Sequence, residues 1–109
     1  MPSFDKNIYF NPQECGLEIV GELEFLGGYE FDTFVVWREK ATGRLGYGRD
    51  SGCSCPCPFE AFEVEDIEFD DPWRIAMKIQ EATNEKRSWG YVGFTENDVV
   101  NLIDKVVNA

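Results

Sequence analysis

A chain of 109 residues, 43% hydrophobic and 15% aromatic, has the material for one modest core but not for two, and its composition excludes a disordered polymer. Twenty-one acids against ten bases, with no histidine, give a net charge of −11, which repels phosphate-rich surfaces and argues against direct binding to nucleic acid or an anionic membrane. No apolar run approaches the ~20 residues needed to span a bilayer.

Residues 1–16 lack a sustained period, and Asn11-Pro12 and Cys15-Gly16 are turn-like pairs. They read as an irregular arm anchored by Phe4, Ile8 and Tyr9. Asp5, Lys6 and Asn7 stand where a secretory signal would need an apolar core. The expectation is a reducing cytoplasm, where clustered cysteines more often pack, react or bind metal than form disulfides.

From Leu17 the pattern has period two. Leu17, Ile19, Leu23 and Phe25 fall on one face, and Glu18, Val20, Glu22 and Glu24 on the other, as in a half-buried strand with an acidic outer side. Gly27-Gly28 marks a turn, and Tyr29 to Lys40 forms a second strand. Its run Phe34-Val35-Val36-Trp37 is apolar on both faces, the signature of a central strand. Lys40 to Arg44 suits a tight turn closed by a left-handed Gly43. A third strand, Arg44 to Arg49, carries Gly46 and Gly48 on one face, and these require a close cover from a helix or from the following loop.

That loop, Asp50 to Phe62, holds Cys53, Cys55 and Cys57, both Pro56 and Pro58, and the rings of Phe59 and Phe62. The prolines fix their own φ and hold the preceding residues extended, so the segment is stiff. Pro58 suits the start of a short helical turn reaching Phe62. Residues 60 to 71 carry seven acids and read as irregular or weakly extended, with Val64, Ile67 and Phe69 as anchors. Asp71-Pro72 then opens a helix running to about Lys86, with Trp73, Ile75, Ala76, Met77, Ile79 and Ala82 among its apolar positions. A final helix has Thr95 as N-cap, Asp98 in the capping-box position, and Phe94 with Val99 at staple spacing. Val99, Leu102, Ile103 and Val106 form its apolar stripe. The order predicts a single α+β domain over 1–109: a small antiparallel sheet of about three strands with two C-terminal helices packed on one face.

The chemistry is sparse. Cys15, Cys53, Cys55 and Cys57 equal in number a tetrahedral zinc set, but single-residue spacers within the loop depart from the usual two to four. A nucleophilic cysteine lacks the histidine that commonly serves as its base. No cofactor fingerprint occurs, and the reading is non-enzymatic.

The segments Phe31-Asp32, Val36-Trp37-Arg38, Thr42-Gly43-Arg44-Leu45, Asp50-Ser51-Gly52-Cys53-Ser54-Cys55-Pro56 and Pro58-Phe59-Glu60 together resemble a family of small proteins encoded by tailed phages of actinobacteria. The resemblance spans residues 17 to 62, and Cys57 stands outside its pattern. It implies expression in the cytoplasm of a bacterial host during infection and a dispensable or host-directed role, without a mechanism. The functional expectation is an accessory protein that binds a host or phage protein through Cys53, Cys55, Pro56, Pro58, Phe59 and Glu60 and the neighbouring acidic surface. One rival is an acidic nucleic-acid mimic, in which carboxylates such as Glu18, Glu22, Glu24, Glu30 and Asp32, together with those of residues 60 to 71, occupy the basic groove of a DNA-handling enzyme. A second is a cysteine-ligated metal module.

Overall fold

The computed structural model describes residues 7–26, 30–53, 59, 62–88 and 93–109, without the side chains of Glu30 and Cys53. Four strands form one antiparallel sheet in the order β1-β2-β3-β4, with β1 Leu17–Glu24, β2 Glu30–Glu39, β3 Leu45–Cys53 and β4 Glu68–Phe69. Two helices follow, α1 Pro72–Ser88 and α2 Glu96–Val107.

β2 lies inside the sheet because both of its faces are apolar. Phe34 and Val36 enter a core completed by Ile75, Ile79 and Ala82 of α1 and Val99, Leu102 and Val106 of α2. Val35 and Trp37 point the other way, into a second core with Ile8, Leu17, Phe59 and Ile67. Both helices thus cover one face, as expected. The opposite face is covered by the N-terminal arm and the segment that precedes α1.

The strict alternation expected along β1 is broken. Ile19 pairs with Trp37 but Gly21 pairs with Val36, so Val20 is an extra residue and the register shifts. A bulge of this kind transfers the following side chains to the other face. Leu17 and Ile19 therefore meet the Trp37 core, whereas Leu23 and Phe25 meet the helices. Period two alone would have kept all four together. Gly21 is where α2 comes closest: a Cβ there would lie 2.7 Å from Leu102 Cδ1.

The sheet has four strands, not about three. The additional β4 comes from the acidic stretch read as irregular or weakly extended, and pairs Phe69 with Gly46 and Glu68 with Tyr47. Two glycines account for this approach. A Cβ on Gly46 would collide with Ile67, and one on Gly48 would stand 2.5 Å from Phe62 Cζ and 3.0 Å from Trp37. The cover required over these glycines is supplied by Phe62, Ile67 and Phe69.

The local signals of the remaining elements match the observed backbone. Gly43 has φ +78° and closes the β2–β3 turn, donating to the Glu39 carbonyl at 2.7 Å. Asp71 caps α1 by accepting from the Arg74 N–H at 3.1 Å, and α1 continues two residues past Lys86. Thr95 and Asp98 form a reciprocal capping box at the start of α2. The Gly27-Gly28 turn, Phe4 and residues 89–92 lie outside the described residues.

Replacing Gly48 by valine should lower the unfolding free energy by about 1–3 kcal/mol, the usual cost of overpacking. Urea denaturation of Gly48→Val against wild type measures it, and an unchanged midpoint would show that Phe62 does not seal this face.

Candidate functional site

The loop that concentrates cysteine and proline leaves β3 at Cys53, whose backbone pairs with Glu30, and returns to the described structure at Phe59. This residue is not a presented ring. It is 0% exposed, the expectation of a partner-contacting Phe59 is thereby corrected, and its burial contributes about 2–3 kcal/mol. Its ring stacks on Tyr9 at 5.5 Å and meets Trp37 and Phe62 edge-on at 5.4 and 5.1 Å.

Phe59 also has φ +61°, a left-handed conformation costing a bulky residue on the order of 1–3 kcal/mol. Polar contacts hold it there. The Asp50 carboxylate accepts from the Phe59 N–H at 2.7 Å, and Asn7 Nδ2 donates to the Phe59 carbonyl at 3.4 Å. Trp37 Nε1 donates to the Ile8 carbonyl at 2.9 Å, tying the arm to the same cluster. Phe59 is a clasp that joins arm, central strand and loop end. Cys55, Pro56, Pro58 and Glu60 lie outside the described residues.

Of the four candidate metal ligands, only the Cys15 side chain is described. It is half-buried against the Trp37 core, where a thiol behaves as a small apolar group. Cys55 and Cys57 lie outside the described residues, as does the side chain of Cys53. Among the described residues no group of three or more cysteines and carboxylates is placed to hold a metal ion.

On the helix side, a charge cluster closes the open end of the core. Asp32, 4% exposed, receives Arg49 Nε and Nη2 at 2.7 Å each and Lys86 Nζ at 2.8 Å. Lys86 is itself 2% exposed. The Arg49 guanidinium lies 4.9 Å from the Phe25 ring centroid and reaches Glu85 at 3.8 Å. Burial by itself would raise the Asp32 carboxyl, but the hydrogen bonds and charges of Arg49 and Lys86 outweigh it and hold the carboxyl below its ordinary range. The hydrogen bond that Arg49 donates to Asp32 is the main cause that raises the Arg49 guanidinium above its ordinary range. Asp32 is thus withdrawn from the acidic surface expected of it.

Glu24 is used in the same way. It accepts from the Asp32 and Leu26 N–H groups at 2.8 and 3.1 Å and from Thr33 Oγ1 at 2.6 Å. A cleft of about 340 Å³ between β1 and α2 is lined by Glu22, Glu24, Asp98 and Lys105, yet Asp98 caps α2 and Glu24 holds the β1–β2 turn. These carboxylates serve structure first. Glu18 and Glu22 remain exposed, paired with Arg38 at 2.8 Å and with the Tyr9 hydroxyl at 3.0 Å.

Among the acids that face solvent, one run is dense. Glu63, Glu65, Asp66, Glu68, Asp70 and Asp71 are all exposed along the segment that forms β4 and leads into α1. Arg74 approaches Asp70 and Asp71 at 3.9 and 3.6 Å. No ion pair among the described residues engages Glu63, Glu65, Asp66 or Glu68. Tyr47 donates to Glu68 at 2.7 Å; burial, then Glu68, pushes its hydroxyl up to about 12. Burial, then the charge of Glu22, does the same to Tyr9, so both phenols stay protonated near neutral pH. Beyond Asp71, Trp73 and Met77 are exposed to 68% and 63%. Their place in the helix pattern did not announce this, because the buried stripe of α1 runs through Ile75, Ala76, Ile79, Ala82, Thr83 and Lys86.

Fold and surface together define a small α+β protein whose interior carboxylates stabilise the fold and whose densest run of exposed carboxylates lies along one ribbon. The chain belongs to the family defined by a domain of unknown function, DUF7574, whose model matches residues 6–109. No curated protein and no solved structure matched it.

Two variants test the assignments inside the fold. Phe59→Ala should cost about 3–5 kcal/mol in chemical denaturation, as expected for a buried ring; a near-neutral result would place the ring at the surface. Asp32→Asn, which leaves Lys86 without its carboxylate, should cost about 3–5 kcal/mol at neutral pH. Because the folded carboxyl is depressed, its contribution is complete above about pH 4 and is lost as pH falls through the folded value. A stability-against-pH series should therefore be flatter on its acid limb in Asp32→Asn.

Proposed function

We propose that this protein is a non-enzymatic phage accessory protein that binds a basic surface of a host or phage protein in the bacterial cytoplasm. The observation that carries the reading is the ribbon from Glu63 to Asp71, six exposed carboxylates in nine residues. Like charges held this close repel one another, and a cationic partner relieves that repulsion while being steered to the site. Phage origin and cytoplasmic residence rest on the resemblance carried by the Asp50-to-Glu60 segment. No described helix is long and apolar enough to cross a membrane, which accords with the reading.

The cysteine loop retains a part as a second contact, through Cys53, Cys55, Pro56, Pro58 and Glu60. Its prolines lower the ordering cost of binding, and the clasp at Phe59 fixes one end. The ribbon also favours a second reading, in which the carboxylates occupy the basic groove of a DNA-handling enzyme. The set relevant to that reading excludes Asp32 and Glu24, which are engaged inside the fold, and consists mainly of the ribbon with Glu18 and Glu22.

A tagged pull-down from actinobacterial lysate, with nuclease, compares wild type with Glu65→Lys/Glu68→Lys. Recovery of the captured protein should fall by about tenfold or more, equivalent to ~1.4 kcal/mol, and stay near wild type in Tyr47→Phe, which removes only the Tyr47–Glu68 hydrogen bond. Equal recovery by the charge-reversed variant would overturn the ribbon's role. Release of a DNA-handling enzyme by added duplex DNA would favour the mimic.

A further inference from the structure

We infer that the outward stripe of α1, Trp73 and Met77, docks a cationic amphipathic helix of the protein partner; this rests on the proposed reading that the partner is basic. The two side chains lie four residues apart, one above the other on the same helix face. Both point away from the core face formed by Ile75, Ile79 and Ala82. A single exposed apolar residue is ordinary, but a tryptophan and a methionine on successive turns form a ridge of the composition that dominates binding surfaces.

The ridge has one cleft beside it, of about 380 Å³, bounded by Asp70, Arg74, Met77, Lys78 and Glu81. On the next turn the stripe becomes polar with Gln80 and Asn84, so the apolar contact is two turns long. A ridge of this kind receives another helix, whose side chains enter at spacings of three and four.

Charge decides which helix. Asp70, Asp71 and Glu81 rim the ridge, and Glu68 precedes them in the ribbon. The nearby cations are already partnered: Arg74 with Asp70 and Asp71, and Lys78 with Glu81 at 3.6 Å. Exposed pairs of this kind hold weakly and exchange readily. A second copy of this chain would bring the same acidic rim and a net −11 against itself, and an anionic bilayer would be repelled. A helix with an apolar stripe flanked by lysine or arginine satisfies both the ridge and its rim.

The test uses two fluorescein-labelled synthetic peptides of identical composition, one placing leucines at helical spacing between lysines and one scrambled. Anisotropy titration of the full chain in about 0.15 M salt should give at least about tenfold tighter binding of the amphipathic peptide. Trp73→Ala/Met77→Ala should erase that preference while keeping weak, salt-sensitive binding of both. Equal affinity for the two peptides would overturn the docking ridge and leave the ribbon intact. A preference that survives the double substitution would place the apolar site elsewhere. Failure of both peptides to bind even at low salt would overturn ridge and ribbon together. Sedimentation of the unliganded protein as a dimer dissociated by Met77→Ala would assign the ridge to self-association and refute the inference.

Discussion

The structure depends on one constraint: β2 must be buried on both faces at once. Phe34 and Val36 on one side, and Val35 and Trp37 on the other, are between 0% and 2% exposed, so a single layer of helices cannot complete the fold. The helices satisfy one face. The other has no helix available and is closed by whatever chain remains, namely the arm around Ile8 and the segment from Phe59 to Phe69. The bulge at Val20 follows from the same demand. It lets the adjacent strand contribute Leu17 and Ile19 to one core and Leu23 and Phe25 to the other, where an unbroken strand of the same sequence would serve only one.

This two-sided core explains why so much of the polar chemistry is structural. An irregular cover leaves backbone donors that no ladder satisfies, and buried donors left unpaired are costly. Asp50, Asn7 and Glu24 answer that need at Phe59, at the arm and at the β1–β2 turn. Asp32 answers a related one, since Lys86 is buried near the end of α1 and a charge held there needs a close counter-charge. Asp32 and Glu24 are thereby engaged, and the densest run of exposed carboxylates lies at the rim from Glu63 to Asp71. Trp73 and Met77 stand exposed beside that rim, and on the proposed reading a basic partner meets this edge.

The Cys/Pro segment takes a different place in this picture. Its end is fixed by a strained Phe59 whose ring belongs to the arm-side core, so the aromatic that seemed suited to recognition is instead the point where loop geometry is set. Strain of this kind persists only where surrounding packing over-determines it, and Tyr9, Trp37 and Phe62 supply that packing.

The sequence by itself determined both helices and the course of the first three strands, though β3 runs on past Arg49 to Cys53, together with the central position of β2, the left-handed turn at Gly43 and both helix caps. These signals act between residues a few positions apart, through side-chain alternation, positive φ or a capping hydrogen bond. It also showed that Gly46 and Gly48 needed a cover. Only the tertiary structure decided what covered them, that β4 would form there, that β1 would change faces at Val20, that Phe59 would be buried, and that Asp32 would be enclosed by Arg49 and Lys86. Those outcomes depend on residues as far as 54 positions apart, brought together by the need to enclose both sides of one strand, and no local pattern records which distant surface will arrive.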